Sequence, residues 1–230
     1  MTVKQIIGEL KRQGKKANII GMKRFGIRPN DRLLGASMPI IRKLGKKIGR
    51  NHELALELWQ SGLHEARILA SIIEDPEAVT SQQADIWVAD LKSWDTCDQL
   101  CGNLLDKTKL VEKKIFKWTK NKQEFIRRAG FVVLAWSAVH NKKLPNKEFE
   151  KYFSLFKKYS TDERVYVKKA ISWAMREIGK RRSRVMHRRI LVLAEELKKK
   201  SSKSARWIAS DVTRELSKPE NLRFNKPIRV

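Results

Sequence analysis

The chain has 230 residues, of which 51 are Lys or Arg and 25 are Asp or Glu, so its formal net charge is +26 at pH 7. An excess of this size indicates a polyanionic partner, and nucleic acid is the commonest one. No run of about 18 apolar residues is present, which excludes a membrane-spanning helix, and the N-terminus lacks the apolar run of a signal peptide. We therefore expect a cytoplasmic protein without a membrane partner.

Apolar residues recur at three- and four-residue steps along nearly the whole chain, which predicts helices rather than strands. In the first half, a loop over residues 26–35 interrupts this pattern, with a turn signal at residues 29–31. Ser37 and Gly49 are suited to begin and end the next helix, and Pro39 is tolerated in its first turn. The helices predicted here cover residues 3–13, 16–25, 37–49, 51–61, 64–75, 80–92 and 94–105.

The second half continues as helices in pairs. The apolar run at residues 129–138 is too short and too closely flanked by charge to span a bilayer, so it predicts a helix buried between neighbours. Residues 219–230 are basic and predict an extended tail. The helices predicted here cover residues 110–120, 123–140, 146–159, 163–180, 184–199 and 202–216.

The helical pairs of the second half form a weak repeat. Arg128-Ala129, Lys169-Ala170 and Ser204-Ala205 each lie in the second helix of a pair and precede large apolar residues. The interval of about 35 to 40 residues is typical of HEAT or armadillo repeats, which bury their apolar faces by stacking. We therefore predict an all-α, right-handed solenoid of antiparallel helix pairs, with one domain over residues 1–218 and a tail over 219–230.

Three segments follow one another along the chain, at residues 94–98, 125–130 and 167–177. In this order they resemble the AlkD family of DNA alkylation-repair glycosylases. Trp94-Asp95-Thr96-Cys97-Asp98 resembles the family's Trp-Asp-x-x-Asp segment. Residues 125–130 are similar to the helix that carries its functional arginine, here Arg128, and residues 167–177 to the helix with its second active-site tryptophan, here Trp173. Residues 34–39 also resemble an N-terminal segment of the family.

The resemblance implies an enzyme that excises cationic N3- and N7-alkylated purines from duplex DNA without flipping the damaged base into a pocket, and that needs no cofactor or metal. Asp98 would stabilise positive charge on the deoxyribose and help to position the attacking water. Trp94 and Trp173 would pack against the sugar-phosphate, and Arg128 would hold the nearby phosphate. The expected partner is duplex DNA with alkylated bases, bound by a monomer that requires no other protein.

The residues themselves support a single-carboxylate mechanism. Trp94 and Asp98 are four positions apart and share one face of a helix. An alkylated purine is already cationic, so its departure needs no general acid, whereas ordinary glycoside hydrolysis uses two carboxylates. One carboxylate suffices to stabilise the oxocarbenium-like sugar that forms, and aromatic faces add attraction to that cation.

One departure from the family concerns a third aromatic residue. The family site has a tyrosine near its N-terminus, but no tyrosine of this chain precedes Tyr152. Phe25 is the nearest candidate for that place.

The excess of Lys and Arg also predicts contacts to DNA phosphates, because exposed cations neutralise them. The candidates fall near the starts or exposed faces of the helices expected to line a concave wall. They are Arg42, Lys46, Arg67, Arg127, Lys168, Lys169 and Arg206.

Several of these residues also have ordinary structural interpretations. Asp98 could pair with Lys92 or Lys107, Arg128 could form a structural ion pair, and Asp95 fits a helix N-terminal charge. Cys97 and Cys101 predict buried thiols. The remaining tryptophans are expected in the core: Trp59, Trp87, Trp118, Trp136 and Trp207.

Two functions of other classes compete with the glycosylase. A non-catalytic module that recognises bent, branched or damaged DNA or RNA would use the same cations and would not need Asp98. A protein-interaction scaffold would show a shallow dependence of DNA binding on salt, whereas both nucleic-acid functions predict a steep one.

Overall fold

Residues 1–27 and 32–224 are described in a computed structural model, and within them the regular elements are helices, joined by turns and one isolated bridge between Arg32 and Leu63. The prediction of an all-α protein is confirmed. The predicted turn at residues 29–31 and the end of the predicted tail, 225–230, lie outside the described residues. The chain forms two compact units, Met1–Glu112 and Lys113–Val230. The prediction of a single domain stays a prediction.

The helices of the first unit each begin within one residue of their predicted start. The central helix is α5, which contacts α3, α4 and α7. Gly45 lets α3 approach it closely, because a Cβ at Gly45 would lie 2.7 Å from Cγ2 of Ile72. The helices are α1 (Val3–Gln13), α2 (Lys16–Arg24), α3 (Met38–Ile48), α4 (His52–Gln60), α5 (His64–Ile73), α6 (Ser81–Ala89) and α7 (Trp94–Asn103), followed by a 3-10 turn, Leu105–Lys107.

A buried carboxylate fixes the segment that leads into α3. Glu65 is 1% exposed, and its two oxygens accept hydrogen bonds from the backbone N–H groups of Leu34 (2.9 Å) and Gly35 (2.6 Å). The carbonyl of Gly35 in turn accepts hydrogen bonds from the N–H of Lys15 and the side-chain amide of Asn18. Gly35 has φ +79°, a conformation that favours glycine. This chain of contacts ties the start of α2 to α5.

In the second unit, one predicted helix proves to be two. The expected helix at residues 146–159 is interrupted at Lys151 and Tyr152, where the N–H of Tyr152 bonds to the carbonyl three residues earlier. The helices are α8 (Val111–Thr119), which starts at the end of the first unit, α9 (Glu124–His140), α10 (Asn146–Glu150), α11 (Phe153–Tyr159), α12 (Val165–Arg181), α13 (Arg184–Lys198) and α14 (Lys203–Leu216), then a 3-10 turn, Pro219–Asn221.

The second helices of successive pairs, α9, α12 and α14, pack side by side. Arg128 bonds to the carbonyl of Tyr166, 38 positions further along the chain, and Ser172 bonds to Asp211, 39 positions further. These offsets agree with the predicted interval between repeats. The helix α9 is buried along most of its length, as predicted from its apolar run.

The described part of the predicted tail lies against the last helices. The N–H of Arg223 donates to the carbonyl of Lys180 at 2.8 Å, and the Asn221 amide donates to the carbonyl of Glu215 at 3.0 Å. Among the described helices, none combines the length and apolar character that a bilayer crossing requires.

Candidate functional site

The residues of the Trp-Asp-x-x-Asp segment form the first turns of α7. Trp94 is the first residue of the helix, and Asp98 follows one turn later; both side chains are partly buried. The buried face of α7 contains Leu100 and the two thiols of Cys97 and Cys101, which confirms the prediction for the cysteines. Trp94 and Asp98 therefore share a face of α7 that keeps access to solvent.

Trp94 is hydrogen-bonded to Phe25, the residue that follows α2. Its indole Nε1 donates a hydrogen bond to the backbone carbonyl of Phe25 at 3.2 Å. The side chain of Phe25 is 74% exposed. The sequence candidate for the third aromatic residue therefore lies in direct contact with the first tryptophan, although 69 positions separate them.

The first turn of α7 is also attached to α5. Nε2 of His64, which is 1% exposed, lies 2.8 Å from a carboxylate oxygen of Asp95, whose other oxygen accepts a hydrogen bond from the Ser93 hydroxyl at 2.6 Å. Burial of Asp95 opposes its ionisation, but the His64 ring and the Ser93 hydroxyl outweigh that effect and hold its pKa below the ordinary value. Asp95 lies in the first turn, as predicted, where a negative charge is stabilised by the helix dipole.

Arg128 lies in α9 of the second unit and is 5% exposed. One of its terminal nitrogens donates to the carbonyl of Tyr166 at 2.7 Å, which fixes the guanidinium beside the start of α12. The packing just after it is tight, since a Cβ at Gly130 would lie 2.8 Å from the backbone nitrogen of Thr119. Glycine at this position therefore allows α9 to pack directly on the end of α8.

Trp173 lies in α12 and belongs to an aromatic cluster with α9. Its ring meets Trp136 edge to face at a centroid distance of 5.5 Å, and Trp136 stacks on His140 at 4.8 Å. Trp136 and Trp173 are both partly buried, whereas Trp59, Trp87 and Trp118 are buried as predicted. Trp207 was expected in the core, and that prediction is wrong: its side chain is 38% exposed.

The predicted phosphate contacts occupy three kinds of environment. Arg67 and Arg127 bond to protein partners: the Arg67 guanidinium lies 5.3 Å from the Trp59 ring and donates to its carbonyl, and Arg127 pairs with Asp162 at 2.6 Å. Lys168 is partly buried beside an aromatic ring. The remaining four side chains are exposed: Arg42, Lys46, Lys169 and Arg206. Of these, Arg206 also donates to the carbonyls of Lys200 and Ser201.

Asp162 organises a separate group of charges at the start of the last repeats. Burial disfavours its ionised form, but hydrogen bonds from Arg164 (Nε, 2.8 Å) and Arg127 (2.6 Å) prevail and lower the pKa of Asp162 to about 2. The Arg127 guanidinium also lies 4.6 Å from the ring centroid of Tyr159. As for metals, the described residues contain no group of three or more His, Cys, Asp or Glu side chains arranged to hold an ion.

Comparisons with known proteins agree with this fold. Residues 6–208 match the sequence model of a family described as DNA alkylation repair enzyme. A solved structure of a new family of proteins related to the HEAT-like repeat DNA glycosylases, with affinity for branched DNA structures, is similar with a TM-score of 0.74 and 21% identity, over 93% of this chain and 95% of that chain. That likeness confirms the HEAT-like repeat fold predicted from the helical pairs. No curated protein matches the chain.

Proposed function

The chain belongs to the DNA alkylation repair enzyme family, and we propose that it is a monofunctional DNA glycosylase. In this proposal it hydrolyses the N-glycosidic bond of cationic N3- or N7-alkylpurines in duplex DNA and leaves an abasic site. The observation that carries the proposal is the first two turns of α7, where Asp98 and Trp94 share a partly exposed face in a chain of net charge +26. A carboxylate on a surface that attracts a polyanion is expected to act on a positive charge of the substrate.

Hydrolysis of this glycosidic bond requires little more than the negative charge of the Asp98 carboxylate. The bond from the sugar carbon to the purine nitrogen breaks with its electron pair passing to the base, which leaves neutral. The sugar becomes oxocarbenium-like, and water adds to it and loses a proton. Asp98 would stabilise the developing cation and orient the water, and a fixed charge of this kind is worth about 100-fold or more in rate. No protonation of the leaving group is needed, so a second carboxylate has no role.

The aromatic residues would hold the sugar against the carboxylate. Trp94 is fixed through its indole N–H to the carbonyl of Phe25, so its ring has a defined orientation. The π-face of an aromatic ring attracts a cation within about 6 Å, which favours the oxocarbenium-like state over the neutral sugar. Phe25, with a largely exposed ring, would supply a further apolar surface at the same place.

Two residues of the second unit are assigned roles by the resemblance to the AlkD family. Arg128 would hold a phosphate, for which the planar fork of its guanidinium is suited. Because it is 5% exposed and bonds to the carbonyl of Tyr166, it would have to turn outward to do so. Trp173 would pack against sugar-phosphate. Exposed Arg42, Lys46, Lys169 and Arg206, together with Lys168, would contact phosphates along the duplex, and Arg67 and Arg127 could join them only by leaving their protein partners.

The test is release of free base from a methylated duplex, measured as 3-methyladenine and 7-methylguanine. The wild-type protein should release both, and Asp98→Asn should retain DNA binding but lose about 99% of the release rate. Asp75→Asn is the matched control, because it removes the same charge from an exposed pair with Arg50. Equal release by wild type and Asp98→Asn would remove Asp98 from the mechanism.

A second function is supported by the similar structure, whose protein family has affinity for branched DNA structures. A non-catalytic protein of this kind would release no base and would bind a three-way junction more tightly than a linear duplex of equal length. The base-release assay separates the two functions directly. A monomeric state and a cytoplasmic location stay predictions.

A further inference from the structure

Trp207 is the most exposed tryptophan of the chain. It lies in the second turn of α14, whose buried face is formed by other residues, among them Ala205, Ile208 and Val212. Its side chain is 38% exposed, whereas the other tryptophans are buried or partly buried. Single exposed apolar side chains are common on protein surfaces, so the exposure of Trp207 is informative only together with the charges beside it.

One cation lies over this indole, and further exposed cations occur nearby in the sequence of the same two helices. Nζ of Lys168, from the neighbouring α12, lies 5.5 Å from the centroid of the Trp207 ring. Lys169, in the second turn of α12, and Lys203, the first residue of α14, are exposed. The exposed Arg206 is held at the start of α14 by hydrogen bonds to the carbonyls of Lys200 (3.1 Å) and Ser201 (2.7 Å).

One carboxylate, that of Glu163, lies close to Lys168 and Lys203. It accepts hydrogen bonds from the N–H of Ser204 (3.1 Å) and the hydroxyl of Ser202 (3.0 Å), so it is engaged with the first turn of α14. Those two bonds lower the pKa of Glu163, and the charges of Lys168 and Lys203 contribute in the same direction. The two positive charges of Lys168 and Lys203 still exceed the single negative charge of Glu163.

We infer that Trp207 stacks against an unpaired nucleobase of single-stranded DNA, while Lys168, Lys169 and Arg206 bind the adjoining phosphates. Every base has a π-face that can stack on an indole, and the phosphates that accompany it match the cations. In an intact duplex those faces are covered by neighbouring base pairs, so the ring of Trp207 has a partner only where the strand is open. This inference goes beyond the proposed glycosylase and does not depend on Asp98.

Stacking on Trp207 and phosphate contacts by the cations should respond differently to salt concentration. Stacking releases no counterions, so loss of the indole should weaken binding without changing the slope of log K against log salt. Loss of a lysine that contacts a phosphate should lower the slope for single strands by about 0.7. Trp207→Ala and Lys169→Ala therefore give different signatures in one titration series.

The experiment measures binding of the full chain to labelled oligodeoxythymidylate and to a blunt-ended duplex by fluorescence anisotropy. Trp207→Ala should weaken oligodeoxythymidylate binding about tenfold, Trp207→Phe should retain most of it, and duplex binding should stay near the wild-type value. Val192→Ala is the control, since it shortens another exposed apolar side chain. Trp207→Phe also removes the Trp207 emission, so the difference between wild-type and variant fluorescence reports quenching of that indole alone.

Three outcomes would overturn the inference. Unchanged oligodeoxythymidylate binding by Trp207→Ala would leave the indole without a role in it. An equal loss for oligonucleotide and duplex would make it a general DNA contact. Unchanged DNA binding together with a loss of self-association in sedimentation would assign the surface to a protein contact. Release of 7-methylguanine by Trp207→Ala should stay at the wild-type rate, so this inference and the proposed glycosylase can fail independently.

Discussion

The indole Nε1 of Trp94 lies 3.2 Å from the backbone carbonyl of Phe25 and donates a hydrogen bond to it. The bond connects the first residue of α7 with the residue that follows α2. Because it uses the backbone of Phe25 and not its ring, the position of Trp94 and the identity of residue 25 can be varied separately.

The exposed ring of Phe25 is expected to contribute to catalysis and not to stability. In Phe25→Ala the carbonyl that accepts from Trp94 is retained, so the free energy of unfolding should change by less than about 0.5 kcal/mol. Base release from methylated duplex should fall several-fold, because an apolar surface beside the sugar is lost. Phe25→Tyr restores that surface and should recover the rate. If Phe25→Ala released base at the wild-type rate, the ring would lie outside the site.

The contact between His64 and Asp95 is expected to stabilise the first turn of α7. Asp95→Asn should lower the free energy of unfolding by about 1–3 kcal/mol at neutral pH, because the buried His64 ring loses a charged partner. Asp75→Asn, at an exposed ion pair, should lower it by less than about 1 kcal/mol. Chemical denaturation of both variants measures the difference.

The contribution of the Asp95–His64 pair to stability should depend on pH. The pKa of Asp95 is lower in the folded protein than in the unfolded chain, so its contribution to stability is present above the unfolded value and is lost as the pH falls through the folded value. The stabilities of wild type and Asp95→Asn should therefore converge on acidification. A difference that stays constant with pH would show that Asp95 acts by packing alone.

Asp162 should also stabilise the folded protein in a way that is lost at acidic pH. Its pKa is lowered to about 2 from an ordinary 3.8, so the stabilisation is present above 3.8 and is lost as the pH falls to about 2. Allowing for screening by solvent, Asp162→Asn should destabilise the protein by about 1–2 kcal/mol at pH 7. Thermal unfolding between pH 2 and 7 checks this, and equal melting of wild type and variant at pH 7 would contradict it.

Alanine substitution should lower the stability of the fold at Arg67 and the salt dependence of DNA binding at Lys46. Arg67 bonds to the carbonyl of Trp59 and lies beside its ring, so Arg67→Ala should destabilise the fold by about 1–3 kcal/mol. Lys46 is exposed on α3, so Lys46→Ala should leave stability within about 0.5 kcal/mol. It should lower the salt slope of duplex binding by about 0.9 if the lysine contacts a phosphate. Denaturation and salt titration of both variants supply the comparison.

The helices could be predicted from the sequence because apolar spacing determines which face of each helix is buried. The interruption between α10 and α11 could not, since Phe149, Tyr152 and Phe156 are all buried and keep helical spacing across it. The exposure of Trp207 is consistent with helical spacing, because on a helix its side chain projects away from Ala205, Ile208 and Val212.

The candidate site was predictable only in part. Trp94 and Asp98 share a face because of their local spacing, and this follows from the sequence. The contacts of Trp94 with Phe25 and of Asp95 with His64 join residues 69 and 31 positions apart, and one chain contains no local pattern that specifies such pairs. The buried carboxylate of Glu65, which fixes the segment before α3, likewise resembled any other acid in the sequence.

The most direct test of the central claim is a single-turnover rate for a duplex with one 7-methylguanine, with enough protein to bind all of the DNA. Wild type should release the base far faster than the same duplex loses it spontaneously, and Asp98→Asn, bound to the same extent, should be slower by about 100-fold or more. A wild-type rate equal to spontaneous loss would contradict the glycosylase, and an Asp98→Asn rate equal to wild type would contradict the role of its carboxylate.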